Sequence, residues 1–552
     1  MCSSGVFAQS VSDAKKLTDS EQYEAASQIY NELIAKSPSD VSLYYFYGDN
    51  LLNSENSDSA KIIFDKGKSL DPNNALIKIG EAKLKLNNID IGEARAASQK
   101  DSGNGELKRR LEDALANVEA AKGLINSAIS GESAKDPLVL IEAAEALINY
   151  KNKDLDKAKE LLDKATGLDS KRPEINLLFG DLYAEKNNGT LSADYYNRAL
   201  EQNKASARAI VSKGRLYKRS TNYEGAAQEF KNAIELNPGY APAHRELGEA
   251  YFKLGKLGLA KEEYKKYLEL SKNNCGARIR YASFLYISKA YQEALNEIDH
   301  LKQKCDPNNI TMLRILAYCY YEIKDTTNGF NIAEKLFQLL PPDSRAAQDY
   351  EVYGKLLIAT NRDSLGIGQL KKAYSLDPTR ADLLSEIASA WYKLKQYPQV
   401  IAVYNEKLEG GKDIRITDYF YLGQAYYYNR QFTDADSTFM KLNEISPKFA
   451  RAWYWRAKVN TQMDTTSELG LAKPFYESFV ENLISDSATM LKSQPQLIEA
   501  YSYLAYFYIL HKDNNKALEY LKKKMELPLN ADDHKNVQQA IDQLEGKTPQ
   551  RK

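Results

Sequence analysis

The chain has 552 residues, 43% of them hydrophobic, and 75 Lys plus Arg against 75 Asp plus Glu, so its formal net charge is zero. Nucleic-acid binders usually carry a basic excess, and this balance disfavours a nucleic-acid partner. No run approaches the roughly 18 apolar residues of a membrane span, so no transmembrane segment is expected.

Taken in chain order, residues 1–9 read as the remnant of a signal peptide: Val6, Phe7 and Ala8 followed by Gln9 resemble a small-residue cleavage end. The charged start and most of the apolar stretch are missing, which suggests that Met1 lies inside a longer natural signal. The FAQ ending before a polar helix resembles exported proteins of Bacteroidota. A lipid anchor on Cys2 and a chance resemblance in a cytoplasmic protein are the alternatives.

From residue 10 to 101 apolar-periodic segments of helical length alternate with turn signatures, SPSD at 37–40 and DPNN at 71–74. Pro stops one helix there and Asp, Ser or Asn caps the next. The pattern fades over 102–137, where ELKRRLEDALANVEAAKGLINSAIS is still helical and is expected to be a degenerate repeat. It resumes over 138–460 with NPGY at 237–240, DPNN at 306–309, DPTR at 377–380 and SPKF at 446–449. Residues 461–496 hold an irregular insertion with a long helix around LAKPFYESFVENLISD. A final unit and capping helix follow over 497–546, and 547–552 read as a disordered tail. Strand and hairpin signals are nearly absent.

The units repeat with a period of about 34 residues. From Ala207 to Tyr240, the residues Gly214, Tyr217, Tyr223, Ala226, Phe230, Ala233 and Pro238 follow in order. Gly180 with Tyr183 and Tyr196, Gly248 with Tyr251, Ala260 and Tyr264, and Gly423 with Tyr426, Ala435, Phe439 and Pro447 fall in step. This series resembles the tetratricopeptide repeat family over nearly the whole chain, in about fourteen units. The resemblance implies an all-α, right-handed α-solenoid of helix-turn-helix units, with a concave groove lined by first helices. The small residue of the first helix and the Ala of the second let the two helices approach closely. One pair alone cannot bury its apolar face, so units must stack.

Tyr426 occupies the packing position of its helix, and Tyr427 and Tyr428 follow it around the helix by about 100° and 200°. In the family those next positions look into the groove. The same reasoning places Tyr318, Tyr321, Tyr392, Phe420, Tyr454 and Tyr506 on or near that surface, with Tyr45 and Phe252 in the first half. Tyr offers large area, few rotatable bonds and a polar tip; the alternative is packing against neighbouring first helices. A second candidate patch is basic: Arg208, Arg215, Lys218 and Arg219 share one first helix, and Arg245 comes from the next. Arg can hold a carboxylate bidentately, so an acidic peptide is one reading. Neutralisation by Asp181, Glu185 and Glu249 is the other.

Chemistry is thin. The histidines, His244, His300, His511 and His534, are too scattered for a metal site, and no phosphate loop, dinucleotide fingerprint, HExxH or GxSxG occurs. No catalytic residue, metal or cofactor is expected. Met440 and Cys319 fall within repeats where a core role is the commoner one. Cys275 and Cys305 stand at the two ends of one helix pair that come to the same side, so a disulfide is geometrically allowed and fits an oxidising compartment; unpaired thiols are the alternative. The reading is a periplasmic or envelope-associated scaffold that binds a peptide or protein partner, within an envelope or secretion assembly. A small-molecule or glycan-binding protein using tyrosine faces is the rival.

Overall fold

A computed structural model describes residues 10–87, 89–100, 103–272, 274–301, 305–411, 413–484, 490 and 492–547. The expected signal remnant, with Cys2, and the tail beyond Lys547 lie outside them. The described residues are all helical, without a strand, and divide into two compact units, 1–319 and 320–552.

The building block is an antiparallel helix pair whose turn is closed by backbone geometry. Helix Ala207–Arg219 ends at Thr221, whose φ is 60°, and the Asn222 N–H returns to the Tyr217 carbonyl at 3.0 Å. This αL closure satisfies carbonyls that the helix end would leave unpaired. The Asn222 side chain then caps helix Tyr223–Leu236 by accepting from the Gly225 N–H at 2.9 Å. The same device recurs at Arg430, φ 60°, and at Gly255, φ 73°.

Within each pair a ring closes on a bare backbone. A Cβ added to Gly214 would sit 2.4 Å from the Phe230 ring, and one at Gly423 would sit 2.7 Å from Phe439. No side chain fits there without displacing the ring, which is why the small residue and the aromatic residue keep their spacing.

Several buried tyrosine rings hold carboxylates through their hydroxyls. Tyr45 donates to Glu142 at 2.7 Å, Tyr196 to Asp181 at 2.6 Å, Tyr454 to Glu499 at 2.6 Å and Tyr508 to Glu477 at 2.9 Å. Lys83, buried in the first unit, meets Asp49 at 2.8 Å, Glu145 at 3.0 Å and Glu142 at 3.4 Å. Burial alone would lower its pKa; the carboxylates outweigh burial and hold it well above the usual lysine value. Among its described residues the second unit likewise buries Lys407, which donates to Asp418 and to Ser385, each at 2.7 Å.

Two stretches depart from the regular pairing. Among the described residues of 102–137, the 24-residue helix Gly105–Ala128 packs on Ala75–Leu86 as its antiparallel partner, burying Val118, Ala121 and Ile125. The long helix expected in the insertion is, in its described part, the 12-residue helix Lys473–Ile484, packed on Ala450–Met463. The extra residues form the connection 464–472, which the buried Asp464 carboxylate holds by accepting from the Leu471 N–H at 3.3 Å. At the C-terminus, helix Ala531–Leu544 sets Val537 and Ile541 against Ala505 and Leu521 and leaves its other side polar.

Candidate functional site

In the first unit the basic residues come together and are already engaged. Arg208, Arg215 and Arg219 line a polar cavity of about 290 Å³ with Lys153, Asp181 and Glu185. Arg208 lies 3.4 Å from Asp181 and 3.8 Å from Glu145. Arg215 pairs with Glu246 at 2.9 Å, while Lys218 holds both Glu246 and Glu249. Arg219 donates to Glu185 at 2.8 Å and to the Ala184 carbonyl at 2.6 Å. Arg245 lies 2.5 Å from Glu21. Burial would raise the pKa of Glu246, but Arg215 and Lys218 bring it down to about 2.

The second unit presents rings instead. On helix Ile416–Tyr428, Tyr428 is 44% exposed and stacks on Tyr397 at 5.0 Å between centroids, with interplanar angle 19°. Tyr421, 42% exposed, meets Tyr392 edge-on at 5.6 Å. Tyr427 is half-buried and packs edge-on against Trp455 at 5.3 Å. Tyr392 donates its hydroxyl to Gln424 at 3.0 Å, and burial pushes that hydroxyl's pKa above the usual tyrosine value. Lys458 sits 5.6 Å from the Tyr454 ring centre and 6.0 Å from that of Trp455, and it pairs with Glu499 at 3.3 Å. An ammonium so placed over two rings is held by their quadrupoles. The result is a patch of partly exposed rings held in fixed mutual orientation.

Four of the expected groove rings, Phe420, Tyr454, Tyr318 and Tyr45, are corrected by burial. Phe420 lies in the core against Phe439 and Phe449, under Arg451. Tyr454 packs on Phe479 with its hydroxyl on Glu499, and Tyr318 is buried beside Tyr286. At these positions the ring is covered by the partner helix of its own pair or by a neighbouring pair instead of facing the groove. Tyr45 is fully buried and Phe252 packs edge-on against Phe284. Tyr321 is half-buried with Lys324 4.8 Å from its ring centre, and Tyr506 is 51% exposed. Met440, expected in the core, is exposed, while Cys319 is buried. Cys275 and Cys305 form a disulfide with Cα atoms 5.9 Å apart.

Sequence reasoning missed Tyr421, Tyr397 and Trp455. Tyr397 opens a second helix, so the groove positions of first helices carry no signal for it. Among the described residues no group of His, Cys, Asp and Glu gathers to hold a metal, and no helix is long and apolar enough to cross a membrane.

Comparison with known proteins identifies the repeat. Family models described as tetratricopeptide repeats match residues 41–74, 144–207 and 241–274, and one described as TPR repeat matches 214–255. The solved C-terminal part of a TPR repeat-containing protein from Cytophaga hutchinsonii is 32% identical, over 47% of this chain and 98% of its own, with TM-score 0.41. A tetratricopeptide repeat protein from Parabacteroides merdae is 20% identical over 46% and 98%, with TM-score 0.34. Yeast Tom70 is 14% identical over 70% and 95%, with TM-score 0.37. No curated protein matches the chain.

Proposed function

The chain belongs to the tetratricopeptide repeat family, and we propose that it is a non-enzymatic scaffold whose 320–552 unit holds a protein or peptide partner against its tyrosine face. Proteins of this repeat are generally interaction modules, and stacked repeats present extended binding surfaces. The observation that carries the reading is the patch formed by Tyr392, Tyr397, Tyr421, Tyr428 and Trp455. Half-exposed rings pre-set by their neighbours lose little conformational entropy on binding, which is what a contact surface needs.

The proposal extends to place: an exported protein serving an envelope or secretion assembly. The Cys275–Cys305 disulfide supports it, because disulfides persist in oxidising compartments. The FAQ stretch supports it from sequence.

The test is recovery of partners on the immobilised chain from envelope and cytosolic fractions, comparing wild type with Tyr421→Ala/Tyr428→Ala. With circular dichroism unchanged, an envelope protein retained by wild type and lost by the variant is the expected result. Equal recovery by both overturns the assignment to this face.

A further inference from the structure

Stacking of neighbouring pairs explains why Ala14, Ala26 and Tyr30 are buried. It does not explain the acidic turns of the first two repeats. Glu21 and Glu55 both occupy the left-handed turn position, with φ of 55° and 65°. Further along the chain the corresponding place is filled by Thr221, Gly255 and Arg430 among others, so the turn itself does not call for an acid. A glutamate there gains the turn nothing.

Its carboxylate is used elsewhere, by helices far along the chain. Glu21 lies 2.5 Å from Arg245 and 3.7 Å from Arg280, and accepts from the Tyr267 hydroxyl at 2.6 Å. Glu55 lies 3.3 Å from Arg280, and Asp19 lies 3.7 Å from Arg208. Gln22 donates to the Gly239 carbonyl at 2.8 Å. Arg208, Arg245 and Arg280 come from three successive first helices, Ala207–Arg219, Ala241–Lys253 and Cys275–Ile287. The first unit therefore closes on itself, with the turns of its opening repeats seated on an arginine row.

The seam is made by side chains. The opening helices do not pack closely against the helices that carry the row, and beside the contact an open cavity of about 1070 Å³ separates Tyr23, Glu24 and Ser27 from Asn274, Cys275 and Asp306. The outer pairs, Arg280 with Glu55 and Arg208 with Asp19, are partly exposed and contribute modestly to stability; the Glu21–Arg245 pair is mostly buried, so a competing carboxylate must replace it in kind.

We propose that Asp19, Glu21 and Glu55 are an internal ligand, and that the arginine row they cover is a docking surface for an acidic segment of a partner, which displaces them. The row supplies planar donors suited to carboxylates, and the chain's own carboxylates show the chemistry that fits. This surface is separate from the tyrosine face, and its test does not depend on that reading.

The experiment is fluorescence anisotropy of a labelled ten-residue polyglutamate peptide on the full chain at low salt. Asp19→Asn/Glu21→Gln/Glu55→Gln removes the internal carboxylates with little change of shape. At least tenfold tighter binding than wild type is expected, and Arg245→Gln/Arg280→Gln in the same background should abolish the gain. Equal affinity of wild type and the opened variant overturns the proposal, as does a gain that survives loss of the arginines. Should the opened variant fail to fold, hydrogen exchange of wild type gives the answer: saturating peptide should speed exchange at residues 10–30. Unchanged protection there with peptide bound overturns the proposal too.

Discussion

The two units share one helix-pair plan and dress it differently. On the first-helix faces of residues 1–319 stand Arg208, Arg215, Lys218 and Arg245, each matched by carboxylates of the same unit. In residues 320–552 the corresponding faces carry Tyr392, Tyr427 and Tyr428, with rings that their neighbours cover only in part. Charges left unpaired at a half-buried surface are costly, so they find partners within the chain. Rings at the same positions can stay partly exposed at modest cost and remain available. The repeat fixes the backbone and the packing positions; the groove positions are where one plan yields a self-satisfied face or a receptive one.

The sharpest way to break this comparison is to remove the cation each unit buries. Lys83→Met leaves Asp49, Glu142 and Glu145 together without it and should cost ~3–5 kcal/mol. Lys407→Met strands only Asp418, which keeps the Ser385 hydroxyl at 2.9 Å and the Arg415 N–H at 2.8 Å. A loss of ~1–3 kcal/mol is expected there. The three tryptophans, Trp391, Trp453 and Trp455, all lie in the second unit. Urea unfolding should then show the Lys83 variant's loss by circular dichroism before tryptophan fluorescence responds, and the Lys407 variant's loss in fluorescence.

Acid should discriminate next. Glu246 has its pKa held at about 2 in the fold against 4.5 unfolded, so its contribution is complete above pH 4.5 and disappears as pH falls towards 2. The loss amounts to about 3 kcal/mol, and Glu145, also held at about 2, adds to it in the same unit. Acid titration should reduce helicity before the tryptophan signal changes; simultaneous loss would contradict the difference between the units.

The smallest effect is expected at the receptive face. Tyr421→Ala/Tyr428→Ala removes half-exposed rings and should cost less than ~1.5 kcal/mol of stability in the same unfolding experiment. A larger loss would move these rings from the contact surface into the packing.

The solenoid was legible because its rules are local. Gly214 to Phe230 and Gly423 to Phe439 are set by contact within one pair, and the Pro turns mark where pairs end. The buried rings Phe420 and Tyr454 were misplaced because helix phase gives the side a residue faces, while the neighbouring pair decides whether that side is covered. Glu21 and Arg245 stand 224 positions apart in the chain. A repeat whose rules act within one pair and its neighbours does not announce such a contact. Helix Gly105–Ala128 lost the repeat pattern because it serves as the partner of Ala75–Leu86 at nearly twice the usual length.

The tyrosine hydroxyls that hold carboxylates inside the stack bear on folding. A chain of similar repeats risks pairing a helix with the wrong neighbour, since most apolar contacts would be nearly as good one repeat out of place. Tyr45 with Glu142, Tyr454 with Glu499 and Tyr508 with Glu477 each join different helix pairs. A stack shifted by one unit would strand the buried Glu142 and leave the half-exposed Glu499 and Glu477 without these donors, at a cost that apolar contacts alone do not impose. These tyrosine–acid pairs thus act as a placing code that lets otherwise interchangeable repeats recognise their own position in the order.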